Sequence, residues 1–309
     1  MKNTSQKYPK ISIISPCFNM AHFIEETIES VLGQSFTNFE YIIVDGASTD
    51  GTLDVIKKYA KKDKRIKWIS EKDKGYHDAM LKGLKISKGD YIMELMVSDG
   101  YKNKDWLKLC VNVLEKDPEV SLVWGFPQWL EDGKFTDVTY PHFHNKKVPQ
   151  KQDWFAYWLA TGEAVPNGNY CVRKNVFIEC NPVLDDTING REFWDFNFAF
   201  NTKGYLAYCI PVIADWGRAH SGQLSEGWLR SGKVFGFMKY YYVNIKQYRD
   251  ALITKNIAHK FRDGAGREIG RFDPKKINKF SPYFQKGKIL FFMILQRGPK
   301  KIKRWILNG

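Results

Sequence analysis

The chain has 309 residues, 43% of them hydrophobic and 15% aromatic, with 48 Lys+Arg against 34 Asp+Glu. That composition supports a packed core in one large domain or two, excludes a disordered chain, and contains no apolar run long enough to span a membrane. The charge is divided: residues 1–225 carry 28 Lys+Arg against 29 Asp+Glu, whereas 226–309 carry 20 against 5, so a near-neutral segment precedes a docking element for something anionic.

Lys10–Ser15 reads as a buried strand ended by Pro16. Phe23, Ile24, Ile28, Val31 and Leu32 fall at helical spacing among Glu25, Glu26 and Glu29. Phe39–Val44 is a second strand, Asp50-Gly51 a turn and Thr52–Ala60 a second helix. Ile66–Ile69 predicts a short strand, Tyr76–Ile86 a helix and Tyr91–Val97 a longer strand. Leu107–Leu114 is a helix and Val120–Trp124 a strand. Strands that alternate with helices, each nearly continuous in apolar residues, predict an α/β fold with a parallel sheet covered on both faces. From Gly125 to Gly204 the pattern is irregular and aromatic. Strands and loops covering the sheet edge are expected there, with helices near Trp154–Ala160 and Phe193–Asn201.

Four short motifs follow the apolar runs: Ser15-Pro16-Cys17-Phe18-Asn19, Val44-Asp45-Gly46-Ala47-Ser48-Thr49-Asp50-Gly51-Thr52, Asp73-Lys74-Gly75 and Ser98-Asp99-Gly100. In a parallel sheet the strand ends share one edge, where ligands bind, so these groups converge. Asp45 has two readings: it binds a base or ribose hydroxyl, or it closes a turn with Ser48. Asp99 also has two. After a long apolar strand its carboxylate suits a hard divalent cation that bridges to phosphate, and Ser-Asp-Gly is equally a common turn. Lys74 is spaced to meet a phosphate.

In this order the motifs, continued by Asp78-Ala79, Lys82-Gly83 and Lys88-Gly89-Asp90-Tyr91-Ile92, resemble family 2 glycosyltransferases of the GT-A fold. The resemblance is close over residues 10–110 and looser over 160–225. It implies a Rossmann-like, mostly parallel sheet flanked by helices, a nucleoside-diphosphate-sugar donor (UDP or GDP) and Mn²⁺ or Mg²⁺. Carried over by position, Pro16, Phe18 and Asn19 line the nucleotide pocket. Asp45 and Ser48 meet the base, Lys74 and Asp78 lie near the ribose and diphosphate, and Ser98 stands beside the metal ligand Asp99. The family ends this strand with two acids, and Ser98 takes the place of the first. Arg191-Glu192-Phe193-Trp194-Asp195 resembles the helix start that carries the catalytic base, with Phe193 where an acid is usual. Glu192 or Asp195 would then serve, Asp195 being favoured because Trp194 and Phe196 would bury it. The segment Arg218–Ser225 resembles the one that closes the catalytic domain, with His220 as a further metal ligand or a structural histidine. Asn167, Asn169 and Arg173 fall where the family shapes the acceptor pocket.

The expected organisation is a catalytic domain over 1–225, its nucleotide-sugar half about 1–125 and its acceptor half about 126–225, followed by a basic amphipathic helical region over 226–309. That region is expected on an anionic membrane surface. Five cysteines without C-x-x-C spacing and a polar Met1–Lys10 segment point to a reduced setting without a signal peptide. The expectation is a hexosyltransferase-like enzyme of polysaccharide biosynthesis, peripheral on the cytoplasmic face of the cell membrane. It would invert at the transferred carbon with one carboxylate base and act on a glycan or lipid-linked glycan. The alternative is a catalytically weak nucleotide-sugar-binding subunit that supports a partner transferase. No nucleic-acid partner is expected, because the tail has no recognition motif. Gly264–Gly270 resembles a dinucleotide loop only in its glycines, since Ala258–Asp263 does not read as a buried strand.

Overall fold

The computed structural model describes residues 8–138, 147–166, 168–181, 192–218, 220, 231 and 233–280. The first elements are β1 (Ile11–Cys17), α1 (Ile24–Leu32), β2 (Phe39–Asp45), α2 (Thr52–Lys62), β3 (Ile66–Ser70), α3 (Tyr76–Ile86) and β4 (Tyr91–Glu94). Then come β5 (Gly100–Tyr101), α4 (Trp106–Lys116), β6 (Val120–Glu131), β7 (Lys134–Val138), α5 (Gln152–Thr161), β8 (Cys171–Arg173) and α6 (Lys174–Cys180). The chain continues through α7 (Glu192–Thr202), β9 (Leu206–Arg218), α8 (Lys233–Thr254), β10 (His259–Arg262), β11 (Glu268–Phe272) and a 3₁₀ segment, Pro274–Phe280.

One sheet runs β3-β2-β1-β4-β8-β6-β9-β5, with β7 on β6. Its first four strands are parallel, and their odd and even residues feed two cores. Ile11, Ile13, Tyr41, Ile43 and Met93 pack with α1, while Ile14, Ile42, Val44 and Ile92 pack with α3. Covered on both faces, these strands have no reason to alternate apolar with polar residues. Helix α3 lies so close that a Cβ on Gly83 would stand 2.5 Å from Ile14 Cγ2.

Three expectations about strands are corrected. β1 runs through Pro16, which pairs in register with Val44. Ile14 accepts the amide of Leu95 on the β4 side and Cys17 accepts that of Gly46 on the β2 side. Pro16 therefore faces β4, whose ladder stops at Glu94, and its missing N–H leaves no bond unmade. β4 ends at Glu94 rather than Val97: Leu95 and Val97 are buried as loop residues, and the chain reverses at Ser98, whose φ is +106°. Finally, the described strands of the 125–204 segment extend the sheet itself, β8 and β6 within it and β7 paired on β6.

The C-terminal part is a helix followed by a β-hairpin. β10 and β11 pair antiparallel across a turn at Gly266 (φ +83°), with His259 and Phe261 buried. Ala258–Asp263 therefore does contain a buried strand, although it belongs to a hairpin and not to a dinucleotide-binding βα unit. The unit shares a core with the preceding chain: His259 stacks on Phe155 with centroids 3.7 Å apart, and Trp158 Nε1 donates to Tyr241 Oη at 2.7 Å. Among the described residues no helix is long and apolar enough to cross a membrane.

Candidate functional site

The carboxyl ends of β1, β2 and β3 meet at one edge, and their loops are tied to one another. Asn19 (φ +53°) donates its amide to Ser48 Oγ at 2.8 Å and accepts from the Thr49 amide at 2.9 Å. The amide of Ala21 reaches Asp50 Oδ2 at 2.9 Å, and that of Met20 reaches Thr52 Oγ1 at 2.8 Å. Desolvation pushes the Asp50 carboxyl up, but bonds from Thr52 and the Ala21 amide outweigh it and hold it below its usual range. Gly46 brings the third loop in, since a Cβ there would meet Asp73 Oδ2 at 2.7 Å and Phe18 at 3.5 Å. Phe18 leaves this edge 57% exposed, a flat ring free to stack. Three non-glycine residues, Asn19, Ala47 (φ +65°) and Ser98, hold left-handed backbone here. Strain of this kind is kept where the surroundings over-determine it, commonly at functional sites.

Asp45 is wholly buried and accepts from the Ser48 amide and hydroxyl and from Ser70 Oγ at 2.7 Å. The turn reading is thus realised in full, with Ser70 as a partner from β3 that the motif did not include. At the start of α3, the Lys74 amide donates to Asp78 Oδ2 at 3.1 Å, and Lys82 Nζ lies 3.4 Å from the same oxygen. Asp78 therefore closes the first turn of α3, beside the motif it was grouped with.

Asp99 sits in the turn between β4 and β5, and α1 holds that turn. Thr27 Oγ1, fully buried, donates to the Asp99 carbonyl at 2.8 Å and accepts the Ser98 amide at 3.2 Å. The Asp99 carboxylate accepts the Arg218 amide at 3.1 Å and the Ser98 hydroxyl at 3.2 Å. Desolvation nevertheless pushes its carboxyl up to about 7. On β9, Asp215 is likewise buried, and desolvation pushes it up to about 8 against a 2.9 Å hydrogen bond from Asn169 Nδ2. Sequence reasoning missed both Thr27 and Asp215. Each left a signal: Thr27 is a polar residue on the apolar stripe of a helix, and Asp215 is an acid inside the apolar run Tyr208–Trp216.

Among the described residues no group of three or more His, Cys, Asp or Glu is gathered for a metal ion. The available donors are oxygens, the Asp99 and Asp215 carboxylates with the carbonyl of Asn169 nearby. That chemistry fits Mg²⁺ or Mn²⁺, which take their remaining ligands from phosphate or water. His220 packs its ring 4.7 Å from that of Phe23, beside the start of α1.

On the acceptor side, Asn169 is wholly buried next to Asp215, whereas Arg173 is corrected. Its guanidinium lies at the other end of β4, opposite Tyr91, donating to the carbonyls of Val120 at 2.9 Å and Leu114 at 2.7 Å. It caps the end of α4 and does not line the site. Asn167 lies outside the described residues, as does the side chain of Glu192, the first residue of α7. Asp195 is half-buried on α7. Its aromatic neighbours have ring partners of their own, Trp194 in Tyr241 and Phe196 in Tyr170. Asn197 ties α7 to the loop between α5 and β8, accepting the Val165 amide at 3.0 Å. In that loop desolvation pushes the Glu163 carboxyl up to about 7, and this acid was also missed.

A cleft of about 880 Å³ opens at the opposite edge of the sheet, between Lys10, Tyr91, Arg173 and Arg267. Two of its cations are engaged in ion pairs, Lys10 with Asp90 and Glu115 and Arg267 with Asp263. The strand-end edge, with its strained turns and convergent oxygens, is the better candidate.

The model of Glycosyl transferase family 2 matches residues 12–167. An uncharacterized glycosyltransferase of Haemophilus influenzae is 32% identical over 221 residues, 71% of this chain and 68% of that protein. TuaG of Bacillus subtilis, a teichuronic acid biosynthesis glycosyltransferase by name, is 36% identical over 126 residues, 40% of this chain and 50% of that one. Chondroitin synthase of Escherichia coli is 32% identical over 121 residues, 39% of this chain and 18% of that protein, so the match spans half or less of these last two relatives. Among solved structures, S. aureus TarS 1-349 in complex with UDP superposes with a TM-score of 0.54 at 17% identity, covering 76% of this chain and 64% of that one. The mannosyltransferase PcManGT of Pyrobaculum calidifontis, in complex with GDP-Man and Mn²⁺, gives 0.55 at 18% identity, covering 77% and 64%. At these identities the likeness is one of fold. With the family match over half its length and the strand-end motifs gathered at one edge, the chain belongs to glycosyl transferase family 2 and has the GT-A fold.

Proposed function

We propose that this chain transfers a sugar from a UDP- or GDP-sugar to a hydroxyl of a glycan or lipid-linked glycan, with inversion at the transferred carbon. The observation that carries the proposal is the convergence of Phe18, Asn19, Asp45, Ser48, Asp73 and Asp99 on one sheet edge. In this reading the nucleoside packs on Phe18 beside Pro16 and Asn19, with the Asp45–Ser48 turn at the base. Lys74 and the α3 N-terminus face the diphosphate, where backbone amides and the helix dipole favour an anion. Bound Mn²⁺ or Mg²⁺ supplies positive charge to the departing diphosphate. Asp99 holds the cation's side of the site, and His220 is the further candidate ligand. Asp195 or Glu192 takes the acceptor's proton as its oxygen attacks, a role that contributes about 10²–10⁴-fold. Asn167 and Asn169 belong to the acceptor side.

The names of TuaG and chondroitin synthase support a polysaccharide acceptor, and the UDP and GDP-Man complexes of the structural neighbours support the donor class. The basic segment 226–309 is read as the part that meets an anionic membrane on its cytoplasmic face. A second reading, a nucleotide-sugar-binding subunit of a partner transferase, is favoured by Ser98 and Phe193, which stand where acids are expected. Calorimetric titration with UDP and GDP, each with and without Mn²⁺, followed by transfer from the matching nucleotide sugar, tests both. Metal-dependent micromolar binding with turnover, lost in Asp99→Ala, is the expected outcome. Binding without turnover supports the subunit, and binding of neither nucleotide sinks the donor site.

A further inference from the structure

β9 sets a second carboxylate beside Asp99. Tyr101 pairs with Asp215 and Gly100 with Trp216 in an antiparallel ladder. One further step in that register sets Asp99 opposite Gly217. Asp99 and Asp215 are then diagonal neighbours on one face, and the β9 residue directly opposite Asp99 is a glycine. The Asp99 carboxylate accepts the amide of Arg218 at 3.1 Å, three residues beyond Asp215 on the same strand.

Asn169 fixes the second acid. Its Nδ2 donates to Asp215 Oδ1 at 2.9 Å and to the Gly125 carbonyl at 3.0 Å, which uses both amide hydrogens. Its Oδ1 is fully buried and has no hydrogen-bond partner among the described residues, on an amide that lies against Asp215. A buried acceptor without a donor calls for a water or an ion. Gly168 (φ +91°) passes Asp215 without a side chain, and even a Cβ there would clear Oδ2 by 3.8 Å. Among the described residues Asp215 Oδ1 holds the Asn169 amide, and Oδ2 takes no side-chain hydrogen bond.

We propose that Asp215 supplies the second carboxylate for a divalent cation, the charge that the Ser98 position lacks, and that Asn169 is the residue that positions it. The inference rests on the nucleotide-diphosphate reading above. Two carboxylate oxygens are hard donors, and donor phosphate and water oxygens complete the set.

Mn²⁺ binding is followed by the electron paramagnetic resonance of the free ion, with the metal alone and with UDP or GDP present, so no turnover is required. Asp99→Asn and Asp215→Asn are each expected to weaken binding by more than tenfold, and Asn169→Leu by about tenfold, as outer partners of metal ligands do. Asp215→Asn with wild-type Mn²⁺ affinity, alongside loss in Asp99→Asn, overturns the assignment of Asp215 and leaves the donor site standing. A wild-type chain that binds nucleotide but no Mn²⁺ overturns it as well, and one that binds neither overturns the donor reading along with it. If Asp215→Asn does not fold, wild-type protein labelled with ¹³C-carboxylate aspartate answers the question by electron–nuclear double resonance. Couplings from two aspartates at Mn²⁺ are expected, and couplings from only one overturn the proposal.

Discussion

Thr27 joins two links of the chain, because one hydroxyl on α1 fixes both the Ser98 amide and the Asp99 carbonyl. Thr27→Val keeps the shape and removes both bonds, each worth about 0.5–1.5 kcal/mol net. Urea unfolding is expected to show a loss of roughly 1–3 kcal/mol, with weaker Mn²⁺-dependent nucleotide binding from a looser turn. Unchanged stability would mean that Leu95 and Val97 hold the turn by packing alone. Glu163 gives a residue-scale prediction in pH. Its folded carboxyl sits at about 7, above the roughly 4.3 of an unfolded chain. The folded state keeps a proton that the unfolded state has already released. That stability is complete below about pH 4 and is lost as pH rises through about 7. Glu163→Gln never ionises, so it should match the wild type near pH 4.5 and exceed it above pH 7.5 by up to about 3 kcal/mol. Parallel thermal denaturation curves at both pH values would refute the burial of this carboxylate.

At the scale of elements, α3 is the part on which the site depends most. Its first turn carries Asp78 and follows Lys74, and its inner face meets β1 and β2 at Gly83. Only a residue without Cβ permits this approach, since Ile14 and Val44 methyls lie 2.5 and 3.3 Å from the place a Cβ would take. Gly83→Leu is expected to push the helix off the sheet at a cost of about 1–3 kcal/mol, the range for overpacking. Because the helix start moves with it, UDP or GDP affinity should fall together with stability. A large stability loss with nucleotide affinity unchanged would separate α3 from the donor site.

For the whole molecule, the third core decides what may be removed. Phe155, Trp158, Leu159 and Leu206 are covered by Tyr241, Ile245, Leu252, Phe261 and Phe272 from α8 and the hairpin. A chain ending at Ser225 uncovers that patch and is expected to aggregate, whereas one ending at Phe280 keeps the core and should fold. The same shorter chain tests the membrane proposal. Residues 281–309 contain Lys286, Lys288, Arg297, Lys300, Lys301, Lys303 and Arg304 and no acids. At about 1 kcal/mol for each basic residue near an anionic surface, the full chain should sediment with phosphatidylglycerol vesicles and leave them in salt. The chain ending at Phe280 should stay in the supernatant. If both chains bind alike, the tail is not the dock.

The boundaries of α3 and the starts of β2 and β3 were legible in the sequence, because local periodicity and turn residues decide them. So were the strand-end motifs, since a parallel sheet sends successive loops to one edge. The path of β1 through Pro16 was not, because it depends on β4 having already ended next to it. Arg173 looked like a pocket residue, but antiparallel β8 carries it to the far edge. Asp215 is more than a hundred residues from Asp99, and nothing local to either marks the other. The sequence by itself determined the alternating strands and helices of the first hundred residues and the motifs at their ends, because those depend on neighbours a few positions away. Only the tertiary structure decided which oxygens face one another, because strand order, register and direction arise from packing between distant segments.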